Sequence, residues 1–304
     1  MKRSQLNRNI LDTIGNTPLV RINRLYRNPK VIIHAKLEGD NPTGSIKDRI
    51  ALKMIEQAEA EGHLTRGKTI IEPTSGNTGI SLAMIGAIKD YDVEIVMSKA
   101  VSIERRRMIQ AFGATVTLTD PAKGTDGAIM KARELVKQHP HKYFMPDQFS
   151  NHYNKLAHYK TTAEEIWNQT GGRLDYFVSS LGTSGTIMGV SKYLKERDPK
   201  VRIVCAHPEK GHYIQGLKNM EEAIVPAIYD PTQIDETIMV ESETAFACAR
   251  EIVKKEGILV GMSSGAAMFA ALEVAKKISS GTIVVIFPDR GEKYLSTGLF
   301  IVSE

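Results

Sequence analysis

Cysteine is scarce in this chain, with two in 304 residues, Cys205 and Cys248. Two thiols cannot build a disulfide framework, and a reducing, cytoplasmic setting fits such usage. Cys205 lies in the apolar run VRIVCAH and Cys248 in the helical stretch ESETAFACAREIV, so both read as small buried residues instead of ligands or nucleophiles. No apolar run approaches the length needed to cross a bilayer, so no membrane association is expected. The opening MKRSQLNRNILDTIG is basic but has no apolar signal core, and a secretory signal is therefore not expected. Charge of one sign is also short: 40 basic against 35 acidic residues leave a formal +5, widely dispersed. The one dense run, Arg105-Arg106-Arg107, follows Glu104 with no interleaved aromatics. That pattern favours a solvated or ion-paired helix face over a nucleic-acid patch. Repeats and low-complexity linkers are missing as well.

What is present is an ordinary globular composition, 42% apolar and 25% charged, arranged in alternation. The runs VIIHAKLE, KTIIEP, VEIVMS, ATVTLT, DYFVSS, VRIVCA and TIVVIFP read as buried strands. Between them, helical spacing covers residues 45–62, 78–89, 103–112, 125–138, 154–169 and 264–277. Ser45 with Asp48 three residues on has the form of a capping box, which starts the first helix at Ser45. Alternating strands and helices predict α/β architecture with mostly parallel, doubly wound sheets. The turn-rich stretches GDNPTG and MPDQFSNHYN break the alternation near residues 40 and 150, which predicts two lobes with a cleft between them.

Two glycine-rich strand-to-helix turns carry the chemistry, IIEPTSGNTGIS and YFVSSLGTSGTIMG. Glycine lets a backbone approach an anion closely, and the free N–H groups of the next helix then bind it. Neither turn is a Walker loop and neither completes G-x-G-x-x-G, so no nucleotide site follows from pattern. Each turn alone is as consistent with tight geometry as with binding. GMSSGAA at a fourth junction, and Lys47 in NPTGSIKDR at a third, make coincidence harder to sustain. A lysine at a helix start is disfavoured as an ammonium, and burial adds to that. The neutral amine that results is what condensation with an aldehyde requires. The competing reading is a lysine that packs its stem and reaches water.

The chain resembles the cysteine synthase family, pyridoxal-phosphate enzymes of fold type II, and most closely its B-type members. The resemblance runs from TIGNTPLVRI through NPTGSIKDR, EPTSGNTGIS, LTDPAKGTDGAI, HYKTTAEEIW, SSLGTSGTIMGVSKYLKE and GMSSGAA to DRGEKYLSTGLF. It implies a larger cofactor-binding domain from 1–42 and 151–304 and a smaller mobile domain from 43–150. Pyridoxal 5'-phosphate is the implied cofactor. Lys47 matches the family's Schiff-base lysine and general base, and Asn77 the partner of the cofactor's phenolic oxygen. Gly182, Thr183, Ser184, Gly185 and Thr186 match the phosphate loop, although Ser184 stands where many members have a second glycine. Ser263 matches the partner of the pyridine nitrogen. Thr74, Ser75, Thr78 and Gln148 match the grip on the substrate carboxylate. His158 matches a position near the site and reads equally as a packed histidine. Lys218 stands where a subgroup using O-phosphoserine has arginine, and reads equally as a surface lysine.

The resemblance implies β-replacement through an aminoacrylate intermediate, from O-acetylserine or O-phosphoserine and sulfide to L-cysteine. Cystathionine β-synthase-like chemistry and a sulfide-releasing cysteine lyase are the alternatives on the same core. A non-catalytic binding protein on this fold is the alternative from another class. The implied partners are a small amino acid and sulfide or another thiol, with no nucleic acid, no metal and a homodimer. Binding to serine acetyltransferase, an A-type property, does not carry over to a B-like chain.

Overall fold

In a computed structural model describing residues 6–300, the apolar runs become two separate sheets. The chain begins with β1 (Leu19–Ile22) and β2 (Val31–Leu37), then α1 (Lys47–Ala60). Next come β3 (Thr69–Pro73), α2 (Asn77–Lys89), β4 (Val93–Ser98), α3 (Ile103–Ala111), β5 (Thr115–Thr119), α4 (Gly124–Gln138) and β6 (Tyr143–Phe144). Helices α5 (His152–Lys160) and α6 (Thr162–Thr170) lead into β7 (Tyr176–Ser180), α7 (Gly185–Arg197) and β8 (Arg202–Pro208). The last elements are β9 (Glu236–Val240), α8 (Ser242–Glu256), α9 (Met262–Lys277) and β10 (Gly281–Phe287).

One sheet has the order β1-β2-β10-β7-β8-β9, parallel except where β1 meets β2. The other, β5-β4-β3-β6, is parallel throughout. Its strands all come from residues 69–144, whereas the six-stranded sheet takes residues from both sides of that stretch. β10 shows why unbroken apolar runs are needed. Ile283, Val285 and Phe287 enter one core with α8 and α9, while Val284 and Ile286 enter another with α6 and α7. A strand covered on both faces has no polar side to present. The smaller sheet repeats the arrangement, with α1, α2 and α3 packed on one face and α4 on the other.

Several expectations are corrected. α1 starts at Lys47 and not at Ser45, and no capping box forms. Ser45 Oγ accepts from Lys47 N at 3.3 Å, while the Asp48 carboxylate turns back to the N–H of Thr43 at 2.8 Å. The helix expected over 154–169 is two helices broken at Thr161, whose φ of −128° and ψ of −75° leave helical geometry. Thr161 Oγ1 donates to Ala157 O, closing α5, and no glycine or proline advertises the break. GMSSGAA does not follow a sheet strand. It starts α9 after α8, where a single bridge pairs Val260 with Arg290. Strands β1, β6 and β9 were not among the expected runs, being short or on sheet edges.

Candidate active site

The tripeptide Lys47-Asp48-Arg49 sends three charged side chains in three directions from the first turn of α1. Asp48, fully buried, accepts from Ser81 Oγ on α2 at 2.5 Å and from the Thr43 hydroxyl, fastening α1 to α2. Arg49 runs toward the six-stranded sheet, where Nε donates to Glu38 at 2.7 Å and Nη1 to Glu165 at 2.6 Å. With both neighbours anchored, Lys47 is directed into the cleft between the sheets. Burial pushes its amine down to about 8, and the negative charge of Asp289 opposes that shift. Its Nζ has no hydrogen-bond partner among the described residues, so the amine faces the cleft free to react.

Opposite Lys47 stands the β7–α7 turn. Gly182, Thr183, Ser184, Gly185 and Thr186 all line the same cleft. Helix α7 starts without any side-chain cap, so its first N–H groups are open to an anion. Ser184 adopts φ +67°, the left-handed region that favours glycine. Its buried Oγ has no partner among the described residues. Gly185 is held by close approach: a Cβ there would lie 1.8 Å from Asn154 Oδ1. An orphaned hydroxyl beside an uncapped helix start fits a phosphate, and this donor set suits the phosphate arm of pyridoxal phosphate. Ser263, in the first turn of α9, brings a buried hydroxyl to the cleft with no partner among the described residues.

The β3–α2 turn supplies the third wall. Gly76 has φ +135°, and a Cβ there would lie 2.4 Å from Arg105 Cδ, so only glycine fits. Thr74 Oγ1 accepts from Gly76 N at 3.0 Å and keeps its own proton to donate. Thr74, Ser75, Thr78 and Gln148 come together on the cleft wall. Thr78 spends its proton on Gln148 Oε1 at 2.7 Å, and Gln148 Nε2 donates to Pro73 O at 3.2 Å. Thr78 therefore orients Gln148 in this state. Glu72, fully buried at the end of β3, accepts from the backbone N–H groups of Asp147 at 2.9 Å and Gln148 at 3.0 Å. Burial pushes this carboxyl up to about 8 against those two donors.

Asn77 also lines the cleft, with its amide engaged behind it: Nδ2 donates to Asp289 at 2.7 Å, and Oδ1 accepts from Lys293 Nζ at 3.0 Å. Lys218 is a cleft residue and not a surface one. Its Nζ lies 2.9 Å from Asp126 on α4 and 4.9 Å from the centre of the Phe149 ring. His158 is fully buried between Thr162 Oγ1 at 2.9 Å and Thr186 Oγ1 at 3.3 Å. Burial holds it well below the usual imidazole range, so it is a neutral strut beneath the phosphate loop.

Sequence reasoning missed Glu72, Arg105, Asp126, Asp289, Lys293 and Tyr294. Arg105 meets the ion-paired half of the expectation for the basic run and not the solvated half: only 1% exposed, it lies 3.4 Å from Asp289 and bonds Ser75 O and Tyr294 Oη. Glu72 carried a usable signal, an acid inside an otherwise apolar strand. The other residues carried none, because their partners are far away in sequence.

The model of the family described as "Pyridoxal-phosphate dependent enzyme" matches residues 10–289. A cysteine synthase of Aquifex aeolicus is 50% identical over 299 residues, covering 96% of this chain and 91% of that protein. Cysteine synthase B of Escherichia coli is 45% identical over 288 residues, covering 95% and 94%. The crystal structure of a cysteine synthase from Entamoeba histolytica superposes with a TM-score of 0.93 at 41% identity, covering 100% and 94%.

Proposed function

The chain belongs to the pyridoxal-phosphate dependent enzymes, and from that premise we propose how its own residues carry out cysteine synthesis. The reaction is a β-replacement that makes L-cysteine from O-acetylserine and sulfide. When bound, pyridoxal phosphate supplies an aldehyde for the substrate amine and a conjugated ring that spreads the charge left at Cα. Lys47 would hold its aldehyde carbon, loop 182–186 its phosphate, Asn77 its ring hydroxyl and Ser263 its ring nitrogen. The observation that carries this assignment is that four chain segments, remote in sequence, deliver these groups to one cleft.

Thr74, Ser75 and Gln148 hold the substrate carboxylate with neutral donors, which fixes the Cα–H bond relative to Lys47 Nζ. With its amine near 8, Lys47 is partly unprotonated at neutral pH and takes the Cα proton. Acetate departs from Cβ, sulfide adds there, and Lys47 returns the proton to Cα. Ser263 would offer the ring nitrogen a neutral hydroxyl where a carboxylate would hold a proton on it, which would limit charge delocalisation and favour β-elimination. Phe149 and Leu217 line the cleft and reduce access of water to these atoms.

The test is the absorption spectrum of the purified protein before and after O-acetylserine, followed by cysteine assay on adding sulfide. A yellow protein whose spectrum changes with O-acetylserine and returns with sulfide supports the assignment; a colourless one that stays so with added pyridoxal phosphate removes it. O-phosphoserine as a second donor, a mobile domain over 43–150, and a cytoplasmic homodimer belong to the same proposal. The support for the last of these is family resemblance, and sedimentation at the 33.6 kDa monomer mass would remove the homodimer. No helix among the described residues is long and apolar enough to cross a membrane.

A further inference from the structure

Behind the cleft lies a buried polar cluster to which the mechanism above gives no role. Asp289 Oδ2 accepts from Asn77 Nδ2 at 2.7 Å, Tyr294 Oη at 2.7 Å and Arg105 Nη2 at 3.4 Å. Arg105 Nη2 also reaches Tyr294 Oη at 2.6 Å, and its guanidinium lies 4.7 Å from the centre of the Tyr294 ring. Lys293 Nζ donates to Asn77 Oδ1 at 3.0 Å and to Gly44 O at 3.1 Å. Arg105, Asp289 and Lys293 are each no more than 3% exposed, and Tyr294 is fully buried. Such a cluster is costly to bury, and hydrophobic residues of similar volume would often serve stability as well.

The arrangement around Asn77 gives it a use. An amide can turn over, exchanging donor and acceptor ends. Here the acidic partner is on one end and the ammonium on the other, so only one orientation satisfies both. Asp289 takes one of the two Nδ2 protons and Lys293 occupies one lone pair of Oδ1, which leaves the second N–H without a partner among the described residues in a side chain that lines the cleft. The two halves of the clamp come from different places. Asn77 and Arg105 belong to α2 and α3 on the smaller sheet, while Asp289, Lys293 and Tyr294 follow β10 of the larger one. The amide is therefore set only where the two sheets' segments meet.

We propose that Asp289, held by Tyr294 and Arg105 and assisted by Lys293, is a positioning residue that fixes the Asn77 amide with a single N–H presented to the cofactor's ring. The inference rests on the assignment of Asn77 to that cofactor. A further feature agrees with it: Asp289 Oδ1 has no partner among the described residues, so the whole hydrogen-bonding use of this carboxylate lies on the oxygen that faces Asn77.

The test is a double-mutant cycle read by the dissociation constant of pyridoxal phosphate, measured by fluorescence titration of protein freed of cofactor and then reconstituted. Asn77→Ala, Asp289→Ala and the double variant are compared with the parent, with Tyr294→Phe and its double variant as a milder cycle should Asp289→Ala not fold. Asp289→Ala is expected to weaken binding about tenfold. Because it acts through Asn77, the double variant should bind no worse than Asn77→Ala alone. Losses that multiply in the double variant, or parental affinity in Asp289→Ala, overturn the proposal. Parental affinity in Asn77→Ala instead overturns the assignment of Asn77 itself.

Discussion

Two buried polar clusters flank the first turn of α1, and they differ in how completely their charges are matched. On one side Arg49 and Lys36 face Glu38 and Glu165, two positive against two negative. Glu38 and Glu165 each hold Arg49 through paired bonds, and Lys36 adds Glu165 at 2.7 Å, Thr17 O at 2.6 Å and Gln169 at 2.9 Å. The result is Glu165 held down at about 2 and Arg49 raised above its ordinary value by its two acidic partners against the effect of burial. On the other side Arg105 lies 3.4 Å from Asp289, no carboxylate bonds the Nζ of Lys47 or Lys293 among the described residues, and burial pushes both lysines down to about 8. Matched charges make a rigid joint. Burial that nearby acids offset only in part makes amines that give up protons near neutral pH, which is what the proposed chemistry needs.

The contrast can be broken most forcefully at Lys47. Lys47→Ala should lower kcat for cysteine formation roughly a thousandfold and abolish the visible band of the bound cofactor. Retained activity would mean that another amine does the work. On the matched side, Arg49→Met leaves Glu38 and Glu165 buried with only Lys36 opposite them. Urea unfolding at pH 7 should show a loss of about 3–5 kcal/mol, and a loss under 1 kcal/mol would show that the joint is not structural.

pH separates the clusters in opposite directions. Glu165 titrates at about 2 folded against 4.5 ordinarily, so its contribution is complete above pH 4.5 and is lost as pH falls toward 2. Lys47 titrates at about 8 against 10.5, so it penalises the fold below pH 8 and the penalty lifts as pH rises toward 10.5. With both chains freed of cofactor, Lys47→Met should therefore gain about 2 kcal/mol at pH 7, discounted because Nζ faces the open cleft. The gain over the parent should vanish near pH 10.5. A difference that does not change with pH would show that Lys47 is not strained by burial. The smallest effect is expected where α1 meets α2. Ser81→Ala removes one donor to Asp48 and should cost about 1 kcal/mol by thermal unfolding, with KM for O-acetylserine nearly unchanged.

Much of the candidate site was legible because it is local. Glycine turns, the lysine after NPTGSI and the hydroxyls of EPTSGNTG are short motifs, and the cleft collects all of them. The basic run at Arg105 predicts a solvated or ion-paired face, and Arg105 does pair, but a helix period over nine residues does not say with which residue. The partner is Asp289, 184 residues away. The broken helix at Thr161 escaped for a similar reason, since a threonine that back-bonds to Ala157 reads like any other helix residue.

Residue pattern alone sets the alternation that makes two mostly parallel sheets, because strands buried on both faces must be largely apolar, and it marks the candidate reactive groups, because tight turns need particular residues. Which buried ions find partners is settled by packing between distant segments. Pairing energy depends on distance and burial between side chains such as Asn77 and Asp289, 212 positions apart, and no local pattern encodes that distance.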